Sequence, residues 1–448
     1  TFGTNGFYLD NTTNAQTDAS GEGNNLTNNN TVVTTTHTPT NLEALNNSLV
    51  RGNVTFSNGN RTMVFAGASY DTQPSTLVMP EGIGKWYCEY TNTTLASSSM
   101  YAIGDPAYPL MGTNDGGTIA DNPNGYAYVE SGSKNTNGGG ASYGNSWTSG
   151  DIIGIAYDAV NGTLWFSKNG TWQASATSAE ITAGTTTNAA FTGITGDKIF
   201  AAVIASTGAC ISNFAADDWN YTAPTNFVAL NTTNIAAATT RTASDTNKYF
   251  QTTLYEGNGG GQRVGAFQPF DNTFTVAKSG LSSRASSQYL TRTPSSTGDN
   301  QKGTFSAWVK RGVLGGYDYF FTVYGSSTNL FQCYFTNLNK LHISHWSGGY
   351  DWNLRPSEIY ADTSQWMHIC VAVDTTLAAS ADRAILYVNG VRVTVFDNEG
   401  QPSLNFANDF NTASIPNNIG AYSGSAGGQY DGYLAEVVWI DGTQYAAS

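Results

Sequence analysis

Along the chain, apolar residues come in short runs with a two-residue alternation, bounded by Gly, Asn, Asp and Ser; no stretch of useful length keeps a helical period. Lys85-Trp86-Tyr87-Cys88-Glu89-Tyr90 predicts one strand and residues 151–158 another. Asn161-Gly162 follows, then a short strand over 163–167 and Asn169-Gly170. Asn-Gly supplies the two positive-φ residues that a two-residue hairpin turn requires. Within 198–205, Ile199, Ala201 and Val203 share one face, and Phe200, Ala202 and Ile204 the other. A strand apolar on both faces must be covered on both, as in the interior of stacked sheets. Phe305, Ala307 and Val309 alternate with Ser306 and Lys310, and Met367, Ile369, Val371 and Val373 share one face of 366–374. Residues 385–388, Asn389-Gly390 and 391–396 predict a hairpin whose return strand sends Val391, Val393 and Val395 inward and Arg392 and Thr394 outward. Residues 433–440 form the last strand.

These elements predict an all-β chain of two antiparallel β-sandwiches in series. Residues 1–48 are Asn/Thr-rich, with little to bury, and read as an extended surface arm docked by a strand near Phe7-Tyr8-Leu9. Residues 49–235 form the first sandwich and 286–448 the second. The connector, 236–285, holds Ala236-Ala237-Ala238-Thr239-Thr240 and Gly257-Asn258-Gly259-Gly260-Gly261 on either side of one strand, 249–255.

Composition narrows the functional classes. The 448 residues suit two or three domains; with 12% charged residues, 10 Trp, 25 Tyr and 21 Phe, the chain is neither disordered nor a helical bundle. The 19 basic residues against 33 acidic ones give a net charge of −14 without a basic patch, which argues against sequence-independent nucleic-acid binding. The longest apolar run, Ile199 to Ala205, is far short of the roughly 18 residues that span a bilayer, so no membrane insertion is expected. No basic start followed by an apolar stretch marks a secretion signal in these residues. Cys88, Cys210, Cys333 and Cys370 form no Cys-x-x-Cys pair and are too scattered for a disulfide framework; buried free thiols are expected, with pairing inside each sandwich as the alternative.

Two stretches resemble known modules. Residues 76–234 resemble a SPRY-type sandwich in Gly84-Lys85-Trp86-Tyr87-Cys88-Glu89, Gly125-Tyr126-Ala127-Tyr128, Gly150-Asp151-Ile152-Ile153-Gly154 and, most specifically, Gly162-Thr163-Leu164-Trp165-Phe166-Ser167-Lys168-Asn169-Gly170. Residues 287–444 resemble a laminin-G-like, concanavalin A-like module in Tyr289-Leu290-Thr291-Arg292, Thr304-Phe305-Ser306-Ala307-Trp308-Val309-Lys310-Arg311, Gln365-Trp366-Met367-His368-Ile369, Leu386-Tyr387-Val388-Asn389-Gly390 and Gly432-Tyr433-Leu434-Ala435-Glu436-Val437. The expected folds are jelly-roll-like and concanavalin A-like. Their combination is similar to structural proteins of tailed bacteriophages, where the stretch matching Gly3-Thr4-Asn5-Gly6-Phe7-Tyr8-Leu9 follows a laminin-G-like module. That resemblance implies a piece of a longer repeating virion protein at the particle surface, such as a tail fibre. It also implies other virion subunits as partners, a homo-oligomer (trimeric in many such fibres) and host cell-surface polysaccharide as a ligand.

The residues bear on chemistry as follows. Glycoside hydrolysis needs two facing carboxyls about 5 to 9.5 Å apart; Glu436 lies in a late strand without a partner at i+2, so no catalytic residue is expected. Gly140-Ala141-Ser142-Tyr143-Gly144 has the spacing of a nucleophile elbow but neither the preceding strand nor the following helix. His342 and His345 are three apart and point to opposite sides of a strand, and His368, between Met367 and Ile369, reads as a hydrogen-bonded sheet residue, so no metal site is expected. Laminin-G-like relatives bind calcium through loop oxygens, yet Asp105, Asp115 and Asp121, Asp217-Asp218, and Asp397, Asn398 and Glu399 lack the Asp-x-Asp-x-Asp-Gly spacing, so no cofactor is assigned.

Sugar rings offer apolar faces to aromatics and hydroxyls to Asn, Asp and Arg. The segment His345-Trp346-Ser347-Gly348-Gly349-Tyr350-Asp351-Trp352-Asn353-Leu354-Arg355 gathers all of these beside glycines. Trp346, Tyr350, Asp351, Trp352 and Arg355 are therefore the candidate glycan contacts. The competing expectation is that Trp346 and Trp352 cover the sandwich edge, because large aromatics are usually buried. An architectural spacer without a ligand is the second functional reading, and a polysaccharide-degrading enzyme the third.

Overall fold

The computed structural model describes residues 1–39, 45, 54–65, 70–96, 99–106, 118–205, 207–231, 234–235, 276–363, 365–423 and 428–446. The chain forms two compact units, one of residues 1–39, 56–60 and 276–448, the other of residues 40–55 and 61–275. Nearly all regular structure is β, in antiparallel sheets.

The first unit is a sandwich of two sheets. In chain order its strands are β1 (Phe7–Leu9), β2 (Thr27–Asn29), β3 (Val33–Thr35), β4 (Ser279–Ser282), β5 (Tyr289–Arg292), β6 (Lys302–Arg311), β7 (Asp318–Ser326) and β8 (Asn329–Phe335). They continue with β9 (Leu341–Trp346), β10 (Tyr350–Pro356), β11 (Met367–Asp374), β12 (Ala384–Val388), β13 (Val391–Arg392), β14 (Phe396–Gly400), β15 (Asn417–Ile419) and β16 (Gly432–Asp441). One sheet runs β13-β12-β11-β6-β16-β4-β3, with β1 also on β16; the other runs β2-β5-β15-β7-β8-β9-β10-β14. Phe305, Ala307 and Val309 from β6, with Met367, Ile369, Val371 and Val373 from β11, enter the core as their alternation predicts. Facing them are Phe321, Phe331, Ile343 and Leu354 of the second sheet.

Residues 1–39 are not the extended arm expected over 1–48. They supply β1, β2 and β3, and both sheets of the sandwich include them. The reason is the apolar pair Phe7 and Leu9, two residues apart and so on one face, which lies fully in the core with Leu26 and Val32. Between these anchors the polar residues bond to local backbone: Asp18 accepts from the amides of Tyr8, Ser20 and Asn24 at 2.9, 2.9 and 2.7 Å. The rest of the expected arm, save Leu45, lies outside the described residues, as does connector segment 236–275. The connector's end, Ser279–Ser282, is β4 of the sandwich.

Two local expectations need correction. Val391 and Val395 are exposed, at 70% and 68%, and only Val393 packs on the core. The return strand keeps just two ladder pairs, Val388 with Val391 and Tyr387 with Arg392, so Val391 sits at the hairpin tip beyond the core and Val395 has left the ladder. Lys310, read as outward and polar, is buried, its Nζ 2.7 Å from His37 Nε2 and near the Tyr433 ring.

In the second unit, one sheet orders the strands Gly139–Ser142, Ser133–Thr136, Tyr126–Val129, Met100–Gly104, Ile199–Ala205 and Tyr70–Pro74. The other carries Thr171–Trp172, Thr163–Lys168, Ile152–Asp158, Lys85–Thr94, Ala209–Asn213 and Thr62–Phe65. Ile199 to Ile204 are buried on both sides of an inner strand, as their pattern requires. Asn169-Gly170 and Asn389-Gly390 have positive φ at both positions and close two-residue hairpins. Asn161-Gly162 differs: only Gly162 is left-handed, and the turn is longer because the Asp158 carboxylate accepts from the amides of Val160 and Asn161. A six-residue helix, Ser178–Ala183, starts at a Thr177/Glu180 capping box and stops at left-handed Gly184. All four cysteines are buried free thiols.

Candidate functional site

Side chains alternate across β7 to β10, so what is not in the core lines the opposite face of that sheet. Pairing across the strands arranges this outer face in rows. The first row runs from Tyr319 through Tyr334 to His342, with Arg355 one pair beyond Ile343–Leu354 and Asn398 opposite it. A polar row follows: Asn418, Thr322, Gln332, Ser344 and Asn353. The third is Tyr324, Leu330, Trp346 and Tyr350.

The aromatic rings form a continuous chain. Tyr319 stacks on Tyr334 at 4.5 Å and meets Tyr422 at 4.8 Å; Tyr334 lies 5.1 Å from His342. The Tyr350 ring is 5.2 Å from His342 and 5.0 Å from Trp346, and thus spans the polar row between them. Ser344 and Gln332, joined by a 3.0 Å hydrogen bond, are therefore covered, while Tyr350 itself is 50% exposed. Tyr317, 6.1 Å from Tyr334, is 49% exposed. The rings of Tyr319, Tyr334 and Tyr422 occupy one another's faces, so Tyr317 and Tyr350 present the open aromatic surface.

Of the five candidate contacts, Trp346, Tyr350 and Arg355 lie on this face. Trp352 does not: it is buried in the core, its Nε1 donating to Asn408 Oδ1 at 2.9 Å. A β-bulge separates it from Tyr350. His345 pairs with Trp352 and Trp346 with Tyr350, leaving Asp351 as the extra residue that reverses the alternation. Asp351 Oδ2 instead meets His345 Nδ1 at 2.8 Å. Sequence reasoning missed Tyr317, Tyr319, Tyr334, Gln332 and Asn353. The two-residue period of 329–335, with Phe331, Cys333 and Phe335 as its other face, carried the signal for Gln332 and Tyr334.

Two buried nitrogens on this face have no hydrogen-bond partner, His342 Nε2 and Arg355 Nε. His342 Nδ1 is 2.7 Å from the Tyr334 hydroxyl. Burial, then the Arg355 charge, pushes the imidazole down to about 4, which keeps it neutral.

Behind the sheet, His345 Nε2 is 3.1 Å from Asp409 Oδ2, so two carboxylates clamp the ring. Burial opposes the imidazolium, but hydrogen bonds and charge from Asp409 and Asp351 outweigh it and raise His345 above its ordinary 6.5. With a raised folded-state value, the clamp contributes fully below the unfolded value and loses its contribution as pH rises through the folded one. The first unit is thus expected to melt at a higher temperature near about pH 6 than near about pH 9, and His345→Gln to shrink that difference. An unchanged pH dependence in this variant rules the clamp out.

Glu436, at φ 50° in a bulge opposite β6, is half-buried and accepts from the Tyr8 hydroxyl. His368 Nε2 is 2.8 Å from Ser306 Oγ, and His342 and His345 face opposite sides as expected. Ser142 ends an exposed strand, Gly139–Ser142, where the sequence predicted none because its glycines read as a loop; no helix follows it. In the second unit, buried Glu89 accepts from Tyr87 Oη and the amides of Asn220 and Tyr221 at 2.9, 2.7 and 3.0 Å, pinning that segment to the sheet. Among the described residues, no group of three or more His, Cys, Asp and Glu is placed to hold a metal ion; Asp115 lies outside them.

Residues 284–445 match the concanavalin A-like lectin/glucanases superfamily, and residues 103–217 match the SPRY domain. No curated protein matches the chain. Among solved structures, the chain is similar to domain 4 of AbnA, a GH43 extracellular arabinanase from Geobacillus stearothermophilus in complex with arabinotriose. Identity there is 18%, over 39% of this chain and 75% of that one, with a TM-score of 0.30. It is also similar to the SPRY domain of human HERC1, at 14% identity over 36% of this chain and 91% of that one, with a TM-score of 0.27. A SAP-like pentraxin from Limulus polyphemus is 16% identical over 33% of this chain and 68% of that one, with a TM-score of 0.24.

Proposed function

For a chain that carries a SPRY domain and a concanavalin A-like, lectin-type domain, we propose glycan recognition on the outer face of the β7–β10 sheet. The observation that carries this reading is the half-exposed pair Tyr317 and Tyr350 on a face that also presents the partly exposed Trp346, Asn353 and Arg355. Aromatic faces take the apolar side of a sugar ring, and amides and hydroxyls take its edge. The reading is of binding without turnover, with the Glu436 carboxyl accepting from the Tyr8 hydroxyl. The order of the two modules and the Gly3-Thr4-Asn5-Gly6-Phe7-Tyr8-Leu9 stretch support a place in a homo-oligomeric virion appendage, such as a tail fibre meeting host polysaccharide.

Screening the chain on a glycan array tests the proposal. A bound sugar is expected to lose about tenfold or more in affinity to a Tyr317→Ala/Tyr350→Ala variant, equivalent to about 1.4 kcal/mol or more. Unchanged circular dichroism and melting temperature would attribute the loss to contact rather than folding. If no sugar is retained, the face is architectural and the recognition reading fails.

A further inference from the structure

This inference rests on the glycan reading of the β7–β10 face and names the chemistry of its ligand. We propose that the outer sheet face beneath Tyr350 takes the carboxylate of an acidic, uronate-type sugar, held by Arg355 Nε and His342 Nε2. Both nitrogens are buried and without a hydrogen-bond partner. An unsatisfied buried donor is costly, more so when charged, so two of them side by side on one sheet face favour an acceptor. They are neighbours: Ile343 pairs with Leu354, which sets His342 beside Arg355, and the Arg355 charge acts on the His342 ring.

The donor set selects the ligand class. Arg355 Nε–H can only donate. We assign the Tyr334 hydroxyl, 2.7 Å away, as the donor to His342 Nδ1, an assignment that puts the proton of the neutral ring on Nε2 and makes it a donor as well. Two N–H donors, one on a cation, match a carboxylate's two acceptor oxygens better than a hydroxyl. The protein's own carboxylates nearby are engaged elsewhere. Asp397 is paired with Lys340, Asp351 with His345, and Glu399 accepts from Gln401 Nε2 at 3.0 Å. Among the described residues Arg355 makes no ion pair, although its charge reaches Asp397.

Access is through Tyr350. Its ring lies 5.2 Å from that of His342, is half exposed, and follows Gly348 and Gly349, neither of which has a neighbour crowding the position of a Cβ. Gly348, at φ +89°, gives the turn a conformation that L side chains rarely adopt. Once displaced, the Tyr350 ring stacks on the sugar whose carboxylate reaches the two nitrogens.

The test is isothermal titration of the full chain with trigalacturonic acid, triguluronic acid and their methyl esters, which keep ring and linkage but lose the charge. At least one acid is expected to bind about ten- to hundredfold more tightly than its ester, the range of a charge-assisted hydrogen bond. Arg355→Gln is expected to erase that preference, with His342→Gln as a second variant against loss of folding. Tyr350→Ala weakens acid and ester alike. Equal binding of acid and ester overturns the acidic-sugar assignment yet leaves glycan recognition standing. Neutral glycans bound on the array while neither acid binds here overturn the same assignment. Absence of any sugar on the array overturns both.

Discussion

A chain lacking residues 1–39 is expected to lose the fold of the first unit. β1 lies on β16, β3 extends one sheet from β4, and β2 extends the other from β5. Their removal strips Phe7, Leu9, Leu26 and Val32 from the core. Truncating one buried Phe typically costs about 3–5 kcal/mol and a buried Leu about 2–5 kcal/mol, against a total stability of about 5–15 kcal/mol for a domain. The single change Phe7→Ala is expected to cost about 3–5 kcal/mol in urea unfolding. Limited proteolysis reads the truncation directly: residues 276–448 should become digestible while a fragment within residues 61–275 stays resistant. A resistant 276–448 fragment in the truncated chain would falsify the integral role of the first 39 residues.

Asp318→Ala is expected to be the most damaging single change to a charged residue. Asp318 and Arg311 are fully buried, with Arg311 Nη2 at 2.7 Å from Asp318 Oδ2; Arg284 also pairs with Asp318. Arg311 further donates to Tyr360 O at 2.7 Å and lies over the Phe335 ring at 4.6 Å. Burial raises the Asp318 carboxyl even against both guanidiniums, so the charges are expensive to hold there. Removing the acid leaves Arg311 buried and uncompensated, at about 3–5 kcal/mol, whereas the apolar pair Arg311→Met/Asp318→Leu is expected to cost much less. Thermal melting of the three chains checks the order. If the double variant falls as far as Asp318→Ala, the damage comes from lost shape rather than a stranded charge.

The parts of this fold that depend on neighbours along the chain were legible in the sequence. Asn169-Gly170 and Asn389-Gly390 set hairpins because the turn geometry is a property of those two residues. Phe305, Ala307 and Val309, and Met367 through Val373, found the core because a strand's period alone separates its faces. The candidate site was half legible. The aromatic and polar residues of 345–355 were in view, and three of the five reach the open face. Period-two counting could not separate Tyr350 from Trp352, because the bulge that divides them exists only when β9 is laid beside β10.

Composition and alternation determined that this protein is all-β, that it folds around aromatic-rich cores, and which turns close its hairpins. Tertiary structure alone decided that residues 1–39 belong to the sandwich of residues 276–448. It also set Arg355, His342, Tyr334 and Tyr319 in one row, although they lie on four separate strands. The physical reason is that turns and strand faces are fixed by backbone sterics over a few residues. Strand register, and the choice of which distant segment covers a sheet edge, are fixed only by burying apolar surface from parts of the chain that meet after folding.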